Sequence, residues 1–253
     1  MEQTYFRKGF GLKQEIEGDL ATYHSRVVDQ IRANGYQLVA GNLTFLLAEE
    51  FGFCYGVDRA VEYAHETRRK FPGRRIFLVG EIIHNPHVNA ELEARGVMIL
   101  RPGPEGRFDF APVRPDDVVL LPAFGVTVED FGRLRDLGCV LVDTTCGSVL
   151  NVWKRVERYA QDGFTAVVHG KHYHEETKAT VSQVTRFSGK YLIVRDMAET
   201  DVLCRFIERG ENRDEMERLF AERVSAGFAY ARDLERIGVA NQTTMLANES
   251  LSI

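Results

Sequence analysis

The 253-residue sequence lacks any apolar run approaching the ~18 residues of a membrane span. No apolar h-region follows Met1-Glu2-Gln3-Thr4-Tyr5-Phe6-Arg7, so the start does not read as a secretory signal. Four cysteines are too few for a disulfide framework in a chain of this length. Without an export signal they read as metal ligands or core residues in a reducing compartment, and the cytoplasm is the expected location. Positive charge is not in excess: 32 Lys and Arg face 37 Asp and Glu, a net charge of −5. This balance excludes a general pull toward nucleic acid or anionic membrane. The basic runs Arg68-Arg69-Lys70 and Arg74-Arg75 fit a helix end and its loop, where cations suit the dipole. Short repeats and low-complexity segments are absent.

What is present is an alternation of short apolar runs and helical patterns. Residues 1–41 are polar and mixed, with a helical stretch near Asp19–Asn34 stopped by Gly35, and read as an N-terminal extension. Strands are expected at Leu43–Ala48, Arg75–Val79, Val97–Leu100, Asp117–Leu121, Val140–Val142, Thr165–His169, Tyr191–Val194 and Ile237–Ala240. Helical spacing is found at Val57–Lys70, Val88–Arg95, Val128–Leu137, Val149–Gln161 and Glu175–Gln183, and over most of 199–226. Strands alternating with helices predict an α/β fold with parallel sheets. The division is a first lobe over 42–146 and a second over 147–253.

Two cysteines occupy similar turns between strand-like runs and helices. Cys54 lies in Gly52-Phe53-Cys54-Tyr55-Gly56, and Cys146 in Asp143-Thr144-Thr145-Cys146-Gly147. A thiol at a helix N-terminus is exposed and favours the thiolate, the form that holds iron. Either alone reads as an inert buried residue, but the pair favours ligation. Cys139 and Cys204 read as core. His84 follows a strand in Glu81-Ile82-Ile83-His84-Asn85-Pro86, and His169, His172 and His174 follow another beside Lys171. Ligands gather at the carboxyl ends of parallel strands, so these histidines, the Phe124-Gly125 turn and the two cysteines are expected to face one crevice suited to a phosphate. The histidine loop with Glu175 or Glu176 also admits a zinc reading, though its spacing is irregular.

These residues carry a resemblance to a known family. The segments Gly52–Ala60, Glu81–Pro86, Asp143–Cys146, His174–Thr177 and Asn241-Gln242-Thr243-Thr244 occur in the order found in LytB proteins, the 4-hydroxy-3-methylbut-2-enyl diphosphate reductases of the methylerythritol phosphate route to isoprenoids. The N-terminal stretch and Pro122-Ala123-Phe124-Gly125 resemble the cyanobacterial and plastid branch. The resemblance implies a three-lobed α/β fold around a 4Fe–4S cluster held by one cysteine from each lobe. It implies reduction of 4-hydroxy-3-methylbut-2-enyl diphosphate to isopentenyl and dimethylallyl diphosphate, with a ferredoxin- or flavodoxin-type electron donor. Cys54 and Cys146 match two cluster ligands. His84 and His174 match diphosphate-binding histidines, Glu176 the proton-delivering acid, and Thr243 the threonine that orients the substrate hydroxyl. Gln242 matches beside it as a substrate-binding position.

The sequence departs from the family pattern in three places. The third cysteine and the Ser/Asn phosphate contacts belong to a lobe that would follow residue 253, so the expectation is two lobes of three, an incomplete copy that does not turn over by itself. Phe124 stands where many relatives have another diphosphate-binding histidine. Gly147 replaces the proline that usually follows the second cysteine. The rival readings are a non-catalytic α/β fragment that binds a diphosphate and a zinc-dependent hydrolase built on the 169–176 loop.

Overall fold

In the computed structural model, residues 4–211 and 213–253 are described. The strands are β1 (Tyr5–Phe6), β2 (Gln37–Ala40), β3 (Leu43–Leu46), β4 (Ile76–Val79), β5 (Val97–Leu100), β6 (Val118–Leu121), β7 (Val140–Asp143), β8 (Thr165–His169), β9 (Tyr191–Val194) and β10 (Ile237–Asn241). The helices are α1 (Glu17–Leu20), α2 (Arg26–Ala33), α3 (Tyr55–Lys70), α4 (Pro86–Ala94), α5 (Val128–Asp136), α6 (Gly147–Gln161), α7 (Glu175–Arg186), α8 (Met197–Arg209), α9 (Arg213–Leu219), α10 (Tyr230–Asp233) and α11 (Ala247–Ser252).

Strands β4, β6 and β7 are apolar or buried at every position, which requires cover on both faces. They form the middle of a five-stranded parallel sheet of order β1-β7-β6-β4-β5. Alternation sorts the side chains: Ile76 and Leu78 pack with Ala60, Val61 and Ala64 of α3 and Val88 and Leu92 of α4. Phe77 and Val79 face the other way, onto Leu134 of α5 and Phe110. A second parallel sheet, β10-β8-β9, is covered by α6 and α7 on one side. Leu203 and Phe206 of α8 and Met216 of α9 cover the other side. The helices covering the two sheets are joined where the Val128 N–H, at the start of α5, donates to Ser182 Oγ on α7 at 3.0 Å.

The N-terminal stretch is tied to the first sheet. Tyr5 and Phe6 pair in parallel with Leu141 and Val142. Phe6, Phe10 and Phe71 form a ring cluster, and Glu66 accepts from the Phe10 and Leu12 N–H groups. The helix expected at Asp19–Asn34 is broken into α1, a 3₁₀ turn at Ala21–Tyr23, and α2. The strand expected at Leu43–Ala48 does not join a parallel sheet. It pairs antiparallel with β2 as a hairpin, with Leu43, Phe45 and Leu46 exposed. The helical expectation over 199–226 ends earlier, at α9, after which Val224 bridges Leu192.

Candidate active site

Cys54 and Cys146 are the N-cap residues of α3 and α6, and neither thiol caps its helix with a side-chain hydrogen bond. Helix N-termini favour negative charge at both positions. The two turns touch: a Cβ added to Gly56 would lie 2.3 Å from Cys146 Sγ and 3.3 Å from its Cβ. Glycine at 56 is therefore what lets the Cys146 sulfur settle against the first turn of the helix that Cys54 begins. The Cys146 N–H donates to the Ala123 carbonyl at 2.9 Å, and the Ala123 N–H donates to the Ile82 carbonyl at 3.1 Å. The segments that follow β4, β6 and β7 are thus laced side by side, and His84, Phe124 and Cys146 leave them in neighbouring positions.

His84 and His174 form a close pair. His84 Nε2 and His174 Nε2 lie 2.9 Å apart, and His84 Nδ1 lies 2.9 Å from Glu81 Oε2. The Phe124 ring stacks on His84 with centroids 4.4 Å apart and meets His174 edge-on at 5.4 Å. His174 is the N-cap of α7, and its Nδ1 accepts from the Glu176 N–H at 3.1 Å. That bond assigns the proton of the neutral ring to Nε2. His174 then donates to His84 Nε2, and His84 Nδ1–H donates to Glu81. Burial, followed by the neighbouring His84, lowers the His174 pKa and favours this neutral form.

Glu176 is fully buried. Its Oε1 accepts from the Thr243 N–H at 2.5 Å and its Oε2 from Thr243 Oγ1 at 3.0 Å. Burial raises its pKa, opposed by the two Thr243 donors and by His84. A carboxyl pushed up toward neutrality can hold and release a proton. Gln242 is buried too, and its Oε1 accepts from the Lys171 N–H at 3.0 Å and Thr177 Oγ1 at 3.1 Å. Its Nε2 donates to Thr244 Oγ1. The Gln242 side chain braces the loop that presents His174. A hydrogen-bonded path thus runs from Glu81 through His84, His174 and Glu176 to Thr243.

The ligand atoms of His84, His174 and Glu175 lie within 4.8 Å of one another. This is a different set from the His169, His172 and His174 loop read from sequence. His174 fits a metal poorly in either set: Nδ1 accepts a backbone N–H, so Nε2 carries a proton where a metal needs a lone pair. A donating Nε2–H suits an anion. His169 Nε2 and His172 Nδ1 are buried without a hydrogen-bond partner.

The LytB protein family model matches residues 45–253. The chain belongs to the LytB family. Three 4-hydroxy-3-methylbut-2-enyl diphosphate reductases similar to this LytB chain come from Synechococcus sp. (strain RCC307), Thermosynechococcus vestitus and Gloeobacter violaceus. They are 49%, 48% and 47% identical to it over 252 residues. These alignments cover 98–99% of this chain and 60–61% of the relatives. The chain thus spans about three-fifths of the length of the curated relatives it matches. A solved structure of (E)-4-hydroxy-3-methyl-but-2-enyl diphosphate reductase superimposes with a TM-score of 0.53 at 26% identity, covering 77% of this chain and 66% of that one. The Plasmodium falciparum reductase structure gives a TM-score of 0.59 at 20% identity over 81% of this chain and 52% of its own, a likeness of fold.

In this LytB chain the other two cysteines divide. Cys139 is buried in the first core, as expected, with its thiol raised to about 11 by burial. Cys204 is exposed, contrary to the core expectation. Leu203 and Phe206 take the buried face of α8 and turn the intervening Cys204 outward. Glu81, three residues before His84, carries no signal in the sequence of its contact with that ring. An acid at that spacing outside a helix gives no periodic signal.

Proposed function

We propose that this chain carries the cluster-binding and substrate-binding parts of a 4-hydroxy-3-methylbut-2-enyl diphosphate reductase. The carrying observation is the seat of Cys146 Sγ against Gly56, in the first turn of the helix that Cys54 begins, with neither thiol spent on capping its helix. That arrangement fits two thiolate positions of one iron–sulfur cluster. Cys139, sealed in the core, and Cys204, on the outer face of α8, are unsuited to join them. When bound, a 4Fe–4S cluster supplies electrons and a Lewis-acidic iron for removal of an allylic hydroxyl.

The chain's own residues supply the rest. Binding of the diphosphate redirects the His174 Nε2–H from His84 to a phosphate oxygen. His84 lines the same anion site, its Nδ1 held 2.9 Å from Glu81 Oε2. Phe124 holds the His84 ring by stacking instead of adding a further phosphate contact. Glu176 holds the proton that leaves with the substrate hydroxyl as water, and Thr243 keeps that carboxyl oriented through two hydrogen bonds. Gln242 and Thr177 keep the His174 loop closed. The electron donor is a ferredoxin- or flavodoxin-type protein. The His174 tautomer, with its proton on Nε2, favours a diphosphate over zinc at that ring.

Product analysis tests this reading. The 253-residue chain and a chimera extending it with the remaining part of the Synechococcus relative are loaded anaerobically with iron and sulfide, then given substrate and a strong chemical reductant. The chimera should release isopentenyl and dimethylallyl diphosphate, and the 253-residue chain should bind substrate without turnover. A chimera with full iron that releases neither product contradicts the reading.

A further inference from the structure

We infer that Asp143 is a positioning residue for Cys146 and that the N-terminal strand holds it to that task; the inference rests on the reading of Cys146 as a cluster ligand. Asp143 ends β7, and its side chain is 7% exposed. Its two oxygens face opposite ways. Oδ1 accepts from the Thr145 N–H at 2.9 Å and from Thr145 Oγ1 at 2.5 Å. Oδ2 accepts from the Tyr5 hydroxyl at 2.7 Å and lies 3.5 Å from Arg7 Nε.

The turn that ends on Cys146 is fixed one residue at a time. Thr144 Oγ1 donates to the Leu121 carbonyl at 2.7 Å, and the Cys146 N–H to the Ala123 carbonyl at 2.9 Å. Both bonds go to β6 or the residues just after it. Thr145, between them, is tied instead to Asp143 by its N–H and its hydroxyl, which fixes both its backbone and its rotamer. Among these ties, the Asp143 bonds rest on a nearly buried charge. A carboxylate so placed is costly unless donors surround it. Tyr5 and Arg7, at and just beyond the two-residue edge strand β1, help supply them. The docking of β1 on β7 and the seating of the Asp143 side chain therefore support each other, and the Cys146 turn is their shared load. Both oxygens must accept, which asparagine cannot do, because its amide nitrogen would face either Thr145 or the Tyr5–Arg7 pair.

Peptide-resolved alkylation of the purified 253-residue chain by iodoacetamide tests this. The exposed Cys54 and Cys204 serve as internal references, and the buried Cys139 reports any global opening. Asp143→Asn and Tyr5→Phe should accelerate alkylation of Cys146 by ~3- to 10-fold, the scale of one or two lost hydrogen bonds, with Cys139 still protected. Wild-type rates at Cys146 in both variants would overturn the inference. If Asp143→Asn also exposes Cys139, Tyr5→Phe decides, since it removes a single donor and leaves the carboxylate in place. The underlying ligand reading fails separately, through a Cys146→Ser chain that keeps its iron–thiolate absorbance after anaerobic reconstitution.

Discussion

Thr243 donates both of its hydrogens to Glu176, one to each carboxylate oxygen, at 2.5 and 3.0 Å. Those bonds favour the ionised acid, whereas burial favours the neutral one and is the larger effect. The folded-state pKa of Glu176 is accordingly raised. A raised carboxyl binds its proton more tightly in the folded chain than in the unfolded one. Its contribution to stability is complete below the unfolded value and is lost as pH rises through the folded value. Glu176→Gln mimics the protonated acid and can keep both Thr243 contacts. It should raise Tm at pH 7–8 relative to the parent chain, by ~2–4 °C for each kcal/mol of relief, and the gap should close near pH 4. Parallel Tm–pH curves for the two proteins would show that burial does not shift Glu176. In the iron-loaded chimera, the same variant should bind substrate normally while turnover falls by at least ~10²-fold, the scale of a general acid.

His174 has two separable jobs, capping α7 and donating to an anion. His174→Ala should cost ~1 kcal/mol for the lost cap and weaken binding of inorganic diphosphate at least ~10-fold. His174→Asn keeps a side-chain acceptor for the Glu176 N–H and should regain most of the stability without regaining affinity. Calorimetric titration with diphosphate, paired with urea unfolding, separates the two. Recovery of affinity in the asparagine variant would assign the anion contact elsewhere.

The segments that carry His84 and His174 could be placed from sequence because each follows a short strand-like run, Ile76–Val79 and Thr165–His169. The carboxyl ends of parallel strands point that way whatever the loops do. Cys204 and Leu43–Ala48 were misread for the opposite reason. Apolar neighbours around Cys204 do not reveal which helix face is buried, and an isolated apolar run cannot tell a hairpin from an interior strand. The links from Asp143 to Tyr5 and from Glu81 to His84 were not legible at all. The first spans 138 positions and depends on where an edge strand docks. The second depends on the rotamer of a loop residue. The bonds from the Gln242 amide to Lys171 and Thr177 likewise depend on how the His174 loop packs, which the motif does not reveal.

Gly56 has a sharp test of its own. Inside a helix, alanine is ordinarily preferred over glycine by ~1 kcal/mol, yet a Cβ here would collide with Cys146 Sγ. Gly56→Ala should destabilise the chain by ~1–3 kcal/mol and reduce iron uptake. Gly132→Ala, on α5 with open space around its Cα, should instead stabilise by ~0.5–1 kcal/mol and leave iron uptake unchanged. Denaturant midpoints and iron analysis of the two variants make the comparison. A stabilising Gly56→Ala would mean that the Cys146 turn yields freely.

The measurement closest to the central claim is iron binding by single-cysteine variants of the 253-residue chain. Each of Cys54→Ser, Cys139→Ser, Cys146→Ser and Cys204→Ser is reconstituted anaerobically with iron and sulfide, then assayed for bound iron and thiolate-to-iron absorbance. If Cys54 and Cys146 hold one cluster together, the bands vanish in Cys54→Ser and in Cys146→Ser and persist in the other two. Unchanged bands in both Cys54→Ser and Cys146→Ser would contradict the account.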